Sequence, residues 1–208
     1  MGWIGWFAGT AATGAAVAAA GYVGLVTGAI SPDLGLGRRS RPLGPHAVDI
    51  AAPREIVFDI IAQPYLGHAP RALADKIRVL DRGTDMVLAA HFTPVHRRLI
   101  AQTVETVRFT RPERVDFRLV RGPVPHVEEE FTLTELGSGT RLEYRGEMAA
   151  DLWRVGQRWA GLVARRWEQA VAASFASIKA EAERLASKPP RRQPPPRAGD
   201  TGSPSVTT

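Results

Sequence analysis

The sequence contains no cysteine. This absence excludes a disulfide framework, thiolate zinc sites, iron–sulfur clusters and a cysteine nucleophile. The chain also lacks HExxH, a phosphate-binding P-loop, G-x-S-x-G and any metal-spaced cluster of His and Asp. The sequence therefore predicts no cofactor and no metal ion.

Charge is absent over a long N-terminal run, since no charged residue occurs between Gly2 and Ile30. A helix of that length reaches about 43 Å, whereas the hydrocarbon core of a bilayer is about 30 Å thick. Trp3 and Trp6 stand at its start, where interfacial aromatic residues tend to lie. We therefore expect residues 1–30 to form a transmembrane anchor.

Two alternatives to this anchor stay open. No Lys or Arg precedes the apolar run, which argues against a secretory signal peptide, although residues 18–20 offer a small-residue cleavage site. A buried helix of a soluble domain is the second alternative. Arg38, Arg39 and Arg41 follow the run, so the positive-inside rule predicts a single-pass protein of the cell membrane with its soluble domain in the cytoplasm.

The chain carries 27 Lys+Arg against 21 Asp+Glu, a net charge of +6. Much of the excess follows the apolar run or lies in the C-terminal tail, which suits an anionic membrane surface. No interleaving of Arg with aromatic residues on strands occurs, so we expect no nucleic-acid partner. Pairs of glycines at four-residue spacing, Gly5 with Gly9 and Gly24 with Gly28, allow helix–helix self-association or contact with a membrane-complex partner.

The remaining sequence predicts a flexible linker over 31–45, one domain over 46–187 and a disordered Pro/Arg-rich tail over 188–208. In the tail, 194–196 could dock to a partner as a polyproline segment, or simply be solvated. The domain pattern starts with a strand at 47–51 and a helix from Pro53 to Pro64. Period-two segments then predict strands at 76–82, 85–92, 98–109, 114–121, 127–135 and 140–148. A period of three to four residues predicts a long helix over 152–185.

This order resembles the SRPBCC superfamily, also called START-like or Bet v 1-like, and its polyketide-cyclase and lipid-transport branch in particular. The resemblance rests on Val48-Asp-Ile-Ala-Ala-Pro-Arg-Glu-Ile-Val-Phe-Asp59, on Glu130-Phe-Thr-Leu133, on Gly139-Thr-Arg-Leu-Glu-Tyr144 and on Ser174-Phe-Ala-Ser-Ile-Lys179. It implies an α+β helix-grip fold, a curved antiparallel β-sheet wrapped on a long C-terminal α-helix, here preceded by one transmembrane helix. It also implies an apolar cavity between sheet and helix that binds lipids, quinones or polyketides.

Such a cavity is a default ligand site. The expected lining residues are apolar and come from the first helix, the strands and the long helix: Phe58, Ile61, Tyr65, Leu88, Phe92, Phe117, Phe131, Tyr144, Trp159, Val163 and Trp167. The alternative is that each of these side chains is an ordinary core residue.

Candidate catalytic residues are few. Glu129 alternates in phase with Val127 and Phe131, and Glu105 alternates in phase with Val107, so both carboxylates are predicted to point inward. Burial would raise their pKa values and suit them to acid–base work. His68 follows the first helix near the expected cavity mouth, whereas His91 is predicted to face outward.

Three functional hypotheses follow. The sequence favours a membrane-anchored binding or carrier protein for an apolar small molecule, because no acid–base pair has a convincing spacing. A cyclase or aromatase-type enzyme that uses cavity carboxylates is the alternative, and two ionisable groups paired in the cavity would favour it. A non-catalytic assembly subunit of a membrane complex is the third, and a closed, packed core would point to it.

Overall fold

The computed structural model describes residues 3–67, 76–96 and 99–188, without the side chains of residues 3–14 and 96. The predicted disordered tail lies outside the described residues from position 189 onward. In chain order the elements are α1 (Trp3–Val26), β1 (Arg39–Ile50), α2 (Arg54–Leu66), β2 (Ile77–Arg82), β3 (Met86–His96), β4 (Leu99–Thr110), β5 (Arg114–Arg121), β6 (His126–Leu136), β7 (Gly139–Ala150) and α3 (Trp153–Ala186).

The seven strands form one antiparallel sheet in the order β1-β7-β6-β5-β4-β3-β2. Buried and outward side chains alternate along β5 and β6, as on β5, where Val115, Phe117 and Leu119 are buried. The curved sheet packs on α3, which contacts β1, β7 and α2. The predicted α+β class and the helix-grip arrangement are therefore confirmed.

The first strand begins at Arg39, inside the segment predicted as a linker. Residues 39–43 pair with 146–150 of β7, and Leu43 is almost fully buried. The register then shifts between Leu43 and His46, where Gly44 has a φ of +76° and Pro45 follows. An edge strand tolerates proline and glycine at such a bulge, which is why these residues did not end the strand.

Helix α3 approaches the sheet through small residues. Its buried positions include Gly156, Ala160 and Ala164, followed by the larger Val171 and Phe175. These positions recur at four- and seven-residue steps, so they form one stripe along the helix. The predicted helix over 152–185 is confirmed with its ends moved by one residue each.

Helix α1 contacts the domain through its last turns. The Tyr22 ring meets the Trp159 ring edge-on at 6.1 Å between centroids, and Val26 is buried. Residues 15–20 are all exposed. Within the described part of the chain, no helix combines the length and the apolarity needed to cross a membrane, so the transmembrane helix predicted for residues 1–30 is not supported.

The Gly24/Gly28 pair does not offer a free helix face. Gly28 lies beyond the end of α1 with a φ of +68° and approaches the Gln102 carbonyl. Gly24 is covered by the Ile30 side chain, because the chain turns back at this point. The two glycines have the predicted four-residue spacing, but α1 ends between them, so they do not lie on one helix face.

Candidate functional site

The interior of the domain is aromatic. The Phe131 ring lies 5.1 Å from Phe117, 5.7 Å from Tyr144 and 5.3 Å from Phe175, measured between ring centroids. Phe117 in turn contacts Tyr65 of α2. Edge-on and tilted contacts at these distances are favourable for aromatic rings. The sheet, α2 and α3 thus meet around one aromatic cluster.

Glu129 is buried against this cluster, with 9% of its surface exposed. Its Oε1 accepts hydrogen bonds from the Tyr144 hydroxyl at 2.7 Å and from Trp167 Nε1 at 2.5 Å. Because Tyr144 lies on β7 and Trp167 lies on α3, the carboxyl group joins sheet and helix. Burial raises the pKa of Glu129 to about 7, and the charge of Glu105 adds to the effect against the two hydrogen bonds.

Gly146 makes room for this carboxylate. It stands opposite Glu129 on β7, and a Cβ at this position would lie 3.2 Å from Glu129 Cγ and 2.7 Å from the Glu128 carbonyl oxygen. A side chain here would therefore displace Glu129 or its backbone. Glycine is therefore required at position 146 to leave room for Glu129, and not because the chain turns there.

A second buried carboxylate belongs to a hydrogen-bonded chain. Glu105 Oε2 lies 3.1 Å from His91 Nδ1, and its Oε1 accepts a hydrogen bond from the Thr103 hydroxyl at 2.6 Å. On the other side of the imidazole, the Tyr65 oxygen lies 2.9 Å from His91 Nε2. The chain of groups therefore runs from β4 through β3 to α2.

The pKa values of this chain follow from burial and charge together. Burial alone would lower the pKa of His91, but the charge and hydrogen bond of Glu105, with the charge of Glu129, leave that pKa raised. Burial would likewise raise the pKa of Glu105, yet His91 and Thr103 leave it lowered. Each group of the pair therefore favours the charged form of the other. Burial also raises the pKa values of Tyr65 and Tyr144 far above the usual range, so both hydroxyls stay protonated.

The inward direction predicted for Glu105 and Glu129 agrees with the structure, whereas the outward direction predicted for His91 is wrong. On β3 the inward residues are Val87, Ala89 and His91, the opposite phase to the prediction. Ala89 and Ala90 are both buried, so local alternation is ambiguous there. The pairing of β3 with β4 supplies the missing signal. It places Ala89 opposite the inward Glu105, so Ala89 and His91, two residues further, share the inward face.

The reversed phase also moves two of the expected lining residues. Phe92 lies on the outer face, where the Arg78 guanidinium stacks over its ring at 5.6 Å, and Leu88 shares that phase. Six other expected residues are buried in the interior: Phe58, Ile61, Tyr65, Phe117, Phe131 and Tyr144. Three from α3 are half-buried against them: Trp159, Val163 and Trp167. The weak candidate His68 lies outside the described residues.

A separate open groove of about 560 Å³ lies between α2 and the end of α3. Ile56, Ile60, Gln63, Leu66 and Leu185 line it. None of the buried carboxylates or His91 borders this groove, so it is distinct from the polar interior. Over residues 3–67, 76–96 and 99–188, no three His, Asp or Glu side chains are grouped to hold a metal ion.

The profile of the family described as polyketide cyclase / dehydrase and lipid transport matches residues 46–183. The chain belongs to this family. The match covers β1 from His46 onward, the other six strands, α2 and nearly all of α3, and it confirms the relationship to the SRPBCC superfamily. No curated protein matches the chain.

Solved structures share the fold at low identity. The Zhui aromatase/cyclase from Streptomyces sp. R1128 is 17% identical, with 71% of this chain and 94% of that chain covered and a TM-score of 0.56. Norcoclaurine synthase from Thalictrum flavum, in complex with dopamine and hydroxybenzaldehyde, is 12% identical, with 77% and 96% covered and a TM-score of 0.57. At these identities the likeness concerns the fold alone.

Proposed function

We propose that this family member binds an aromatic or polyketide-like small molecule between the sheet and α3. The observation that carries the proposal is a group of hydrogen-bonded polar side chains, which include two buried carboxylates, inside an aromatic interior. Buried carboxylates cost free energy unless they are hydrogen-bonded or used. Glu129 keeps hydrogen bonds only through one of its two oxygens among the described residues. An apolar ligand that carries a hydroxyl or carbonyl group would match the polarity of these surroundings.

Native mass spectrometry of the full-length protein, purified with host lipid present, tests this binding. One apolar molecule per chain, identified after denaturing extraction, is the expected result. Val163→Gln should lower uptake because Val163 packs against the core, whereas Leu162→Gln, at the exposed neighbouring position, should not. An empty chain that takes up no lipid, quinone or polyketide would sink the proposal and favour an assembly subunit.

The buried ionisable groups favour a second candidate function, acid–base catalysis on the bound molecule. A carboxyl group with a pKa near 7 is present in both forms at neutral pH, which suits a general acid or base. When His91 is protonated, it donates Nδ1–H to Glu105 and Nε2–H to the Tyr65 oxygen. The Tyr65 hydroxyl hydrogen is then free to donate to a ligand.

The corresponding reaction is enolisation followed by loss of water. Ionised Glu129 accepts a proton from the carbon next to a ligand carbonyl, while the Tyr65 hydroxyl stabilises the negative charge on the carbonyl oxygen. Protonated Glu129 then gives that proton to a departing hydroxyl group, which leaves as water. In a polyketide-like chain, the dehydration that accompanies aromatisation uses these two proton transfers.

Turnover of a synthetic poly-β-carbonyl thioester tests the catalytic candidate. Glu129→Gln keeps the hydrogen-bond acceptor but cannot exchange a proton, so the rate should fall by about 100-fold or more. Glu130→Gln, at the outward neighbour on the same strand, is the matched control and should keep the rate. Equal rates in both variants would exclude Glu129 as the acid or base and leave the binding proposal intact.

We also propose that the protein works at the cytoplasmic face of the cell membrane, as the charge-free run and the following arginines suggest. Residues 15–20 of α1 are exposed and apolar or small, which supports an apolar contact for this helix. Fractionation of host cells followed by a carbonate wash tests the location. Recovery of the whole protein in the soluble fraction would overturn it.

A further inference from the structure

An exposed apolar surface lies where α3 begins. We define the docking surface as Leu34, Leu36, Leu152, Trp153 and Val155. Their exposed fractions run from 43% for Leu152 to 70% for Val155, with Trp153 at 55%. Single exposed apolar residues are common, but five on adjoining segments form a patch that needs a partner.

The two segments of the docking surface are fastened to each other. The Leu152 amide donates to the Leu36 carbonyl at 2.7 Å, and the Trp153 amide donates to the Gly37 carbonyl at 3.0 Å. The Trp153 ring rests on Gly37, where a Cβ would lie 2.3 Å from the ring. These contacts hold the apolar side chains side by side.

Asp151 fixes the loop that carries the two leucines. Its Oδ2 accepts hydrogen bonds from the Leu34 amide at 2.6 Å and the Gly35 amide at 2.9 Å, and its Oδ1 accepts one from Arg38 Nε at 2.8 Å. The hydrogen bond from Arg38 and those from the two amides lower the pKa of Asp151 to about 2. The docking surface is therefore already formed in the free protein. The ionised Asp151 carboxylate keeps the loop attached at any physiological pH.

The backbone at the docking surface is strained. Leu152 has a φ of +70° and Trp153 a φ of +49°, in the left-handed region that disfavours side chains with a Cβ. Glycine would relieve this strain, yet the chain places two large apolar residues there. Backbone strain that is kept at an ordered, exposed position indicates that the side chains of Leu152 and Trp153 have a function.

The charge around the docking surface is positive. Residues 152–167 contain four arginines and no acidic residue. Arg154 and Arg158 are exposed on the first turns of α3, and Arg39 is exposed at the start of β1. Asp151 and Asp33, the acidic groups beside the loop, are both paired with Arg38. Apolar side chains with exposed arginines on adjoining residues match a surface with apolar depth and anionic head groups.

We propose that the docking surface lies on an anionic lipid bilayer, with Trp153 and the leucines in the interface. A second copy of the chain suits it less well, because two such surfaces would bring their arginines together. This contact deepens the proposed membrane location and is separate from the helical span predicted over 1–30. It would orient the start of α3 toward the lipid phase in which apolar ligands dissolve.

Site-specific fluorescence tests the contact, because a chain without cysteine accepts one label at a time. Leu36→Cys and, as the control, Leu136→Cys at the distant β6–β7 turn each carry an environment-sensitive dye on the full chain. Vesicles of phosphatidylcholine mixed with phosphatidylglycerol should shift the Leu36 label to the blue and shield it from a water-soluble quencher. The Leu136 label and vesicles of phosphatidylcholine alone should give no such change.

Charge variants test the electrostatic part by vesicle co-sedimentation. Arg154→Gln with Arg158→Gln should weaken binding to the mixed vesicles about 25-fold, because each basic side chain near an anionic surface contributes about 1 kcal/mol, a factor of five. Arg114→Gln with Arg118→Gln removes the same charge from β5 and should leave binding within about twofold.

Three outcomes would overturn the docking surface. Sedimentation with vesicles while the Leu36 label stays in water would mean that α1 alone makes the contact, and the membrane location would survive. A shift of the Leu36 label with rising protein concentration and no vesicles would identify a second copy as the occupant. Absence of sedimentation with either vesicle would sink both proposals.

Discussion

At the scale of single residues, Glu129 shows how burial changes an ordinary carboxyl group. It lies between an aromatic cluster and α3, with Tyr144 and Trp167 as its donors. Its pKa of about 7 lies well above the ordinary value of 4.5. Between pH 4.5 and about 7 the folded protein therefore holds a proton that the unfolded chain has already released.

Glu129→Gln should make the protein more stable at high pH. Both states are protonated below pH 4.5, so Glu129 costs nothing there; between pH 4.5 and 7 the unfolded state ionises first and stability falls. The variant removes this loss of about 3 kcal/mol at pH 8, and glutamine can still accept both hydrogen bonds. Urea unfolding at pH 5 and pH 8 measures it. The same difference between the two proteins at both pH values would contradict the raised pKa.

The raised pKa of His91 depends on Glu105. Burial is the largest single effect on the pKa of His91 and acts to lower it, while Glu105 is the main group that raises it. In Glu105→Gln the pKa of His91 should therefore fall below 6.5, its ordinary value. NMR titration of the imidazole carbon resonances measures the change. Glu128→Gln, at an exposed position on β6, is the control and should leave the titration of His91 where it was.

At the scale of elements, the start of α3 depends on small residues that let it approach the sheet. A Cβ on Gly156 would lie 1.6 Å from the Asp151 carbonyl oxygen, whereas one on Gly161 would meet only the end of the Arg41 side chain at 3.4 Å. Both positions are glycines within the helix, but only Gly156 lacks space for a side chain.

Gly156→Ala should lower the free energy of unfolding by about 1–3 kcal/mol, because the backbone must move to accept the methyl group. Gly161→Ala should raise it by about 0.5–1 kcal/mol, since alanine is the better helix former. Chemical denaturation of both variants measures the contrast. Two changes of the same sign would mean that α3 does not lie against Asp151 as described.

At the scale of the whole molecule, two N-terminal segments adjoin the family domain in different ways. The last turns of α1 contribute the buried Val26 and the Tyr22–Trp159 contact, in which Tyr22 stays exposed. Residues 33–38 satisfy Asp151, a buried carboxylate. The second segment should therefore matter more to stability than the first.

A chain that starts at residue 31 should remain folded, with a small loss of stability. A chain that starts at residue 39 should unfold at a clearly lower urea concentration, because Asp151 then loses Arg38 and two amide donors. Circular dichroism during urea titration compares the two. Equal midpoints would show that the loop does not hold Asp151 in solution.

The sequence by itself determined the order and type of most elements. Alternation of apolar residues with a period of two, and then of three to four, is a local property that survives any tertiary arrangement. The same local rule placed Glu105 and Glu129 on the inner face, since each shares its strand with clear apolar neighbours at steps of two. The family resemblance then implied how sheet and helix pack.

Only the tertiary structure decided which groups meet. The pairing of β3 with β4 set His91 beside Glu105, where local alternation through Ala89 and Ala90 could not choose a face. Pairing with β7 turned part of the expected linker into β1, and packing of α3 brought Trp167 to Glu129. Each of these contacts joins residues that are far apart in sequence or on different elements. They depend on strand register and helix packing, which no short window of sequence contains.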